Sequence, residues 1–365
     1  MSVNRLNVNQ ISVAFMVDEA KLHEFIGKAV GEWGAAMGAM LILVGDRLGL
    51  FQAMAGAGPL SAEQLAAKTG THPRLIREWL AAQAAGGYVT YDPRSGTYTL
   101  PDEQAVALTD DNSPAYIAGA YQVLASVFKD EEKIIQAFKT GKGLGWGDHH
   151  HYLFEGTERF FKPNYVANLA TSWIPALEGV ESRLKEGGKV ADVGCGHGVS
   201  TILMARAFPN SKIVGFDYHK PSVEWARKQA EKEGLNNVTF EVAGSTDYPG
   251  DDYDLVAFFD CFHDMGNPAG AAKHTLEAVK KKNGSWMLVE PFANDKVEDN
   301  LNPVGRVFYS ASTMICVPAS LNESGPALGA QAGESRIRDI ARSAGFSKFR
   351  RATQTPFNLV FEARP

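Results

Sequence analysis

The spacing of apolar and polar positions changes character about halfway along the chain. From Lys21 to about Leu50, small and apolar residues recur at helical spacing through GAAMGAMLILVGDRLGLF, a composition that lets a second helix approach closely. Ser61 then heads a short helix, SAEQLAAKTG, with Gln64 three residues on to close a capping box and Gly70 to stop it. His72-Pro73 opens PRLIREWLAAQAAGG, where Leu75, Trp79, Leu80 and Gln83 are expected on one buried face and Gly86 and Gly87 end the helix. Tyr88 to Leu100, YVTYDPRSGTYTL, predicts two short strands around a Pro-Arg-Ser-Gly turn. Residues 101–170 predict further helices.

After Gly188 the pattern alternates. KVADV, KIVGFD, NVTFEVA, YDLVAFF and SWMLVEP are short apolar strands. Helices VSTILMARAF, PSVEWARKQAEKEG and PAGAAKHTLEAVKKK lie among them, and ESRIRDIARSAGF precedes a last pair of strands, FSKFRRAT and FNLVFEAR. Such alternation predicts an α/β fold with a parallel sheet covered on both faces and an antiparallel hairpin at its edge. Ligands of such sheets bind beyond the carboxyl ends of the strands. Two domains are expected, residues 1–180 helical and 181–365 α/β, and the helix-helix-hairpin order in the first is that of a winged helix.

Charge decides what that winged helix is for. Between Ser61 and Leu100, Lys68, Arg74, Arg77 and Arg94 face Glu63, Glu78 and Asp92, and the whole chain carries −6 from 36 basic and 42 acidic residues. A groove-reading element must neutralise several phosphates and this balance is only +1, so nucleic-acid binding is disfavoured and a dimerisation and substrate-capping role is favoured. The most apolar helix, around Met37 to Leu50, is broken by Gly45, Asp46 and Arg47, so no membrane span is expected. The start, MSVNRLNVNQ, lacks the basic and apolar regions of a secretory leader. Cys195, Cys261 and Cys316 stand far apart with no CxxC pair, which points to a cytoplasmic protein without disulfides or structural zinc.

The strongest chemical signal is VADVGCGHG, Val190 to Gly198, between a strand and a helix. Gly194, Gly196 and Gly198 allow a ligand to lie against the loop and the helix N-terminus. The dinucleotide pattern G-x-G-x-x-G fails, because its last position falls on Val199. Asp217 ends the next strand, where a carboxylate can accept both hydroxyls of a ribose.

These residues in this order resemble the class I S-adenosylmethionine-dependent methyltransferases, over roughly residues 160–365 including the terminal hairpin. With the winged-helix-like first half, the whole chain resembles two-domain small-molecule O-methyltransferases. The resemblance implies a Rossmann-like seven-stranded sheet, S-adenosylmethionine as cofactor, a small-molecule acceptor, no metal and a homodimer. It implies that Asp192, Gly194, Gly196 and Gly198 hold the methionine part of the cofactor and that Asp217 holds the ribose, with Tyr218 beside it as a further cofactor contact. Gly244 and Ser245 flank the adenine; many members carry an acid at the second of these positions, and Asp247 is the nearest one here. Asp260 ends the fourth strand as a further cofactor contact.

The segment FFDCFHDMGNP resembles the family's His-Asp-Trp stretch, with Met265 in the Trp position. It makes His263 the general base and Glu290 the acid that orients it, with Glu334 or Gln331 nearest to a second acid. Base catalysis suits an oxygen acceptor, since a hydroxyl attacks better as it loses its proton. The other reading of His263 is a capping or packing residue, because Asp264 and Asn267 also begin a helix. Two further functions stay open: S- or N-methyl transfer needing no base, and a regulator that senses S-adenosylmethionine. Elsewhere, His149–His151 lack the ligand set of a metal site, and His150 is placed on a substrate wall. Residues 291–333 form a long insertion in which Tyr309, Met314 and Cys316 are candidates to line an acceptor pocket.

Overall fold

The structure, a computed structural model, describes residues 17–111 and 113–365; the stretch MSVNRLNVNQ lies outside them. Two compact units divide between Pro101 and Asp102. The helices over 102–180, expected to belong with the N-terminal half, fold within the second unit.

The first unit holds α1 (Glu19–Arg47), α2 (Leu50–Met54), α3 (Ala62–Thr69) and α4 (Pro73–Ala85), followed by β1 (Thr90–Asp92) paired antiparallel with β2 (Thr97–Thr99). The capping box of α3 is made in both directions: Gln64 N–H donates to Ser61 Oγ at 3.2 Å and Ser61 N–H to Gln64 Oε1 at 2.7 Å. On α4 the buried face is Ile76, Trp79, Leu80 and Gln83. Leu75, expected on that face, is 69% exposed, because the i, i+3, i+4, i+7 stripe starts one residue later. Trp79 donates to the Leu41 carbonyl at 2.8 Å, and a Cβ at Gly45 would sit 2.5 Å from its ring, so this small residue of α1 has a packing reason. By length and apolar content alone α1 would pass for a membrane span, although its broken apolar run predicts none. Glu24, Lys28 and Glu32 recur every fourth residue along one side of it.

The second unit begins with α5 (Asp102–Thr109), α6 (Ala118–Lys129), α7 (Glu131–Thr140), α8 (Tyr152–Asn168) and α9 (Val180–Glu186). Strands and helices then alternate: β3 (Lys189–Val193), α10 (Val199–Ala207), β4 (Lys212–Asp217), α11 (Lys220–Lys232), β5 (Val238–Val242), β6 (Leu255–Phe259), α12 (Pro268–Lys280) and β7 (Ser285–Pro291). The chain continues through α13 (Pro303–Ala311), α14 (Val317–Asn322), α15 (Gly333–Ala344), β8 (Lys348–Gln354) and β9 (Asn358–Arg364). Seven strands form one sheet in the order β5-β4-β3-β6-β7-β9-β8, the first five parallel and β9 antiparallel to both its neighbours.

Every residue of β6 and β7 is buried, as expected of central parallel strands covered on both faces. Trp286, Phe258 and Phe262 fill one face and Trp173, Leu255 and Met287 the other, each such side chain contributing ~1.5–3 kcal/mol by its burial. Register fixes the site. Val193 lies opposite both Phe216 and Phe258, and Phe259 opposite Val289, so β3, β4, β6 and β7 deliver their carboxyl ends to one edge. The insertion at 291–333 is more helical than its sequence suggested: Asn302 caps α13 by accepting from Gly305 N–H at 2.9 Å, with Pro303 in the first turn.

Candidate active site

Three glycines follow β3, all with positive φ, yet they serve different ends. A Cβ at Gly194 would lie 2.7 Å from Cys261 Sγ, and one at Gly198 would lie 2.7 Å from the Phe240 ring and 2.8 Å from Ala226 Cβ. At Gly196 it would meet nothing within 4 Å. The outer two are therefore packing positions, and Gly196 alone presents bare backbone to open space.

Asp192, fully buried in β3, ties this loop to α10. Its Oδ2 accepts from Ser200 Oγ and Thr201 Oγ1, both at 2.6 Å, while Oδ1 is buried without a partner. Burial pushes its pKa up to about 6 against those two hydroxyls. Asp217, at the end of β4, accepts from Gly196 N–H at 2.9 Å and His219 N–H at 2.8 Å. Burial raises its pKa also, and these N–H groups oppose the shift. Tyr218 beside it is 54% exposed. After β5, Asp247 accepts from Gly244 N–H at 2.8 Å and so shapes the turn that carries Ser245.

At the end of β6 the chain turns through Asp260 at φ +50 into a short helix, Phe262–Asp264. Glu290 of β7 receives it: Oε1 accepts from Phe262 N–H at 3.0 Å and Oε2 meets His263 Nδ1 at 2.7 Å. Both side chains are at least 96% buried. Burial opposes the imidazolium, but the Glu290 carboxylate outweighs it and holds the His263 pKa well above its ordinary value. The capping of α12 falls to Asn267, whose side chain accepts from Gly270 N–H at 2.9 Å. That leaves the imidazole free for other work, so capping does not account for His263.

Asp260 is engaged by two distant elements. Its oxygens accept from Tyr165 of α8 at 2.9 Å and from Asn358 of β9 at 2.8 Å. Burial, reinforced by the charge of Glu290, pushes its pKa up to about 8. Neither candidate for a second acid reaches His263 by a hydrogen bond. Glu334 pairs with Arg351 at 2.6 Å, and Gln331 donates to the carbonyls of Phe292 and Ala330.

Helix α8 and the turn before it lie against the same loops, which no local pattern in the sequence showed. Glu158 meets His197 of the glycine loop at 2.6 Å, and the Phe154 ring lies 4.8 Å from that of His219. Of the three adjacent histidines, His149 is the buried one, paired with Asp130 at 3.0 Å. His150 is half-buried, stacked on His151 at 4.2 Å, and accepts from Tyr152 N–H at 3.2 Å. Met314 packs in a cluster with Leu144, Leu153, Phe308 and Cys316, and Tyr309 is half-buried on α13.

Residues 184–338 match the family model of a methyltransferase domain. This chain carries a methyltransferase domain. Ahead of it, residues 35–110 match an Rv2258c-like winged helix-turn-helix domain. The fold is similar to that of an O-methyltransferase family protein from Burkholderia thailandensis, at TM-score 0.68 and 16% identity over 96% of this chain and 98% of that one. It is similar also to that of human N-acetylserotonin methyltransferase, at TM-score 0.69 and 17% identity over 96% of this chain and 99% of that one. In sequence, a probable (S)-tetrahydroprotoberberine N-methyltransferase of Papaver bracteatum is 32% identical over 107 residues, 29% of this chain and 28% of that protein. The chain spans about a third of the length of the curated relatives it matches.

S-adenosylmethionine is the cofactor such a methyltransferase domain takes, and the residues present fit it. The bare backbone at Gly196, the unpartnered Asp192 Oδ1 and the carboxylate of Asp217 supply open space and acceptor oxygens along one strand edge. A ligand with an amino group and two ribose hydroxyls complements that set.

Proposed function

We propose that this protein transfers a methyl group from S-adenosylmethionine to a hydroxyl oxygen of a small-molecule acceptor, with His263 as general base. The observation that carries this reading is the buried Glu290–His263 pair at the carboxyl end of β6. When bound, the cofactor supplies an electrophilic methyl carbon on a sulfonium. The residues of the chain do the rest. Asp217 and the Gly194–Gly198 loop hold the cofactor, with Asp192, Tyr218, Gly244, Ser245 and Asp260 as further contacts or supports. Glu290 accepts from Nδ1 and keeps the other imidazole nitrogen as the proton acceptor. His150, Tyr309 and Met314 border the acceptor.

The raised pKa of His263 adds a condition. A base must shed its own proton before it takes another, so the rising limb of the pH–rate profile lies above pH 6.5. Mass spectrometry of products, after incubating cell extract with labelled cofactor and the protein, tests the reading. A label on oxygen supports it; a label only on nitrogen or sulfur replaces it with methyl transfer by positioning alone.

The protein acts as a cytoplasmic homodimer in this reading. Phe25, Trp33, Met37 and Met40 of α1 are each more than half exposed, more apolar surface on one helix than a lone chain ordinarily leaves in water. A second copy covers it.

A further inference from the structure

One stripe of α8 reaches both the cofactor loops and the turn that carries His263. Phe154, Glu158, Phe161 and Tyr165 follow one another at intervals of four, three and four residues, so they share a helix face. Along that stripe the partners change. Phe154 and Glu158 meet the loops after β4 and β3, through His219 and His197. Phe161 stacks on Tyr165 with ring centroids 5.8 Å apart, and Tyr165 meets Asp260 at the end of β6. Pro163 stands inside the helix between Glu158 and Tyr165 and gives no N–H to its ladder.

The N-terminal half of the helix serves the cofactor loops. His197 lies between Gly196, whose backbone is bare, and Gly198, which is packed. Its Nδ1 donates to Glu158 Oε2 at 2.6 Å, and the Trp225 ring lies 5.5 Å from the imidazole. A carboxylate accepts from that nitrogen whether the ring is neutral or charged. His219 N–H is one of the two groups that hold Asp217, so the Phe154 ring lies on the ribose side of the same edge.

The C-terminal half serves the turn. Asp260 opens it at φ +50, a left-handed backbone that strains a residue with a side chain and persists only where the surroundings over-determine it. The Asp260 N–H donates to the Val289 carbonyl at 2.7 Å. Both carboxyl oxygens are then held from α8. Oδ2 accepts from Tyr165 at 2.9 Å; Oδ1 accepts at 2.8 Å from Asn358, whose own amide oxygen accepts from Asn164 at 2.5 Å. Next along the chain, Cys261 Sγ donates to the Val193 carbonyl at 3.3 Å, and Glu290 receives Phe262 and His263.

We propose that α8 carries two positioning residues for the reaction: Glu158 sets the cofactor loop through His197, and Tyr165 sets the turn of the base through Asp260. The proposal rests on the reading of His263 as the base. Each residue acts through the group it holds, and the two ties differ in consequence. The Glu158–His197 pair is partly exposed, at 22% and 12%, so without it the loop relaxes toward water. Loss of the Tyr165 hydroxyl leaves an enclosed carboxyl oxygen without its donor at a strained residue, three positions before the imidazole.

The test compares the full chain with Glu158→Ala and Tyr165→Phe, the second of which keeps the ring and its packing. Calorimetric titration with S-adenosylmethionine gives the affinity. Turnover is read as S-adenosylhomocysteine released with the acceptor that mass spectrometry of the products identifies. Glu158→Ala should weaken the cofactor ~3- to 10-fold and lose turnover chiefly at low cofactor. Tyr165→Phe should bind the cofactor within about twofold of the parent while kcat falls ~10-fold or more. NMR of the Asp260 carboxyl carbon, assigned by its loss in Asp260→Asn, supplies a readout without turnover. That carboxyl faces the charges of Glu290 from β7 and His263 from its own turn, and the donors Tyr165 and Asn358. The tyrosine hydroxyl favours the ionised form, so Tyr165→Phe should move the Asp260 titration to higher pH and Glu158→Ala should leave it in place. Equal losses of affinity and of kcat in the two variants would overturn the proposal, as would an Asp260 titration that stays put in Tyr165→Phe. If that titration moves and the affinities divide as expected while His263→Ala turns over like the parent, the two ties stand and the base reading fails.

Discussion

The three loop glycines lend themselves to a dissection that separates fold from binding. Gly196 has φ +51 and Gly198 φ +83, so an alanine at either position enters a left-handed conformation, a cost of ~1–2 kcal/mol. At Gly196 that is the whole cost, because the new methyl meets nothing. At Gly198 the methyl also lands 2.7 Å from Phe240 and 2.8 Å from Ala226, both buried, and overpacking adds ~1–3 kcal/mol. Gly196→Ala should therefore lose ~1–2 kcal/mol of stability and Gly198→Ala ~2–5 kcal/mol. Binding should rank the other way among variants that fold. Gly196→Val places its side chain in the space assigned to the cofactor and should abolish binding, while the folded fraction of Gly198→Ala should bind nearly as the parent does. Urea unfolding followed by fluorescence gives the stabilities, and calorimetric titration with S-adenosylmethionine gives the affinities. Equal destabilisation at both sites, or unimpaired binding by Gly196→Val, would refute the division of the loop into packing and ligand-facing positions.

Asp217→Asn should weaken cofactor binding by ~1.5–3 kcal/mol, the loss of a charge-assisted pair, while keeping one acceptor for the flanking N–H groups; unchanged affinity by calorimetry would remove its role. His263→Ala should lower kcat at least ~100-fold with cofactor affinity nearly intact, and Glu290→Gln should act in the same direction by less. Stability should fall as pH rises. Asp260 stays protonated in the folded chain to about 8 but ionises near ~4 when unfolded, so its contribution is full below ~4 and is lost on the way up to that value. His263, raised well above 6.5, contributes fully below ~6.5 and loses its part as pH rises through its folded value. Asp260→Asn should flatten the first of these in urea titrations run from pH 5 to 9. Light scattering at micromolar concentration should report a dimer.

What the sequence made legible was whatever has a local signature. Parallel strands buried on both faces read as apolar runs, and six of the seven strands of the sheet fall within their expected segments, while β8 runs one residue past its segment to Gln354. The Ser61 capping box spans four residues and was readable. So were Asp217 and Glu290, each the acid that ends or nearly ends a strand. The phase of α4 was not, since Leu75 and Ile76 are equally apolar and only packing chooses between them. Contacts across long separations left no trace in the pattern: Glu158 with His197 and Tyr165 with Asp260. The helices of the insertion were hidden for another reason. Asn302-Pro303 is a sound start signal, but Pro318 reads as a break, and a π-helical turn beside it has no sequence signature of its own.

The place of β9 in the sheet sets the order in which the protein becomes competent. Strands β3 to β7 can pair as they are made, but β7 then stands with one open edge until residues 358–364 exist to cover it. During synthesis that edge is a strand of buried, mainly apolar residues with unpaired backbone groups, the kind of surface on which chains aggregate. The same late strand brings Asn358, which bonds Asp260 and also Asn164 of α8. Closing the sheet and bracing the turn that carries His263 are thus one event, and a nascent chain lacks that brace until its edge is sealed.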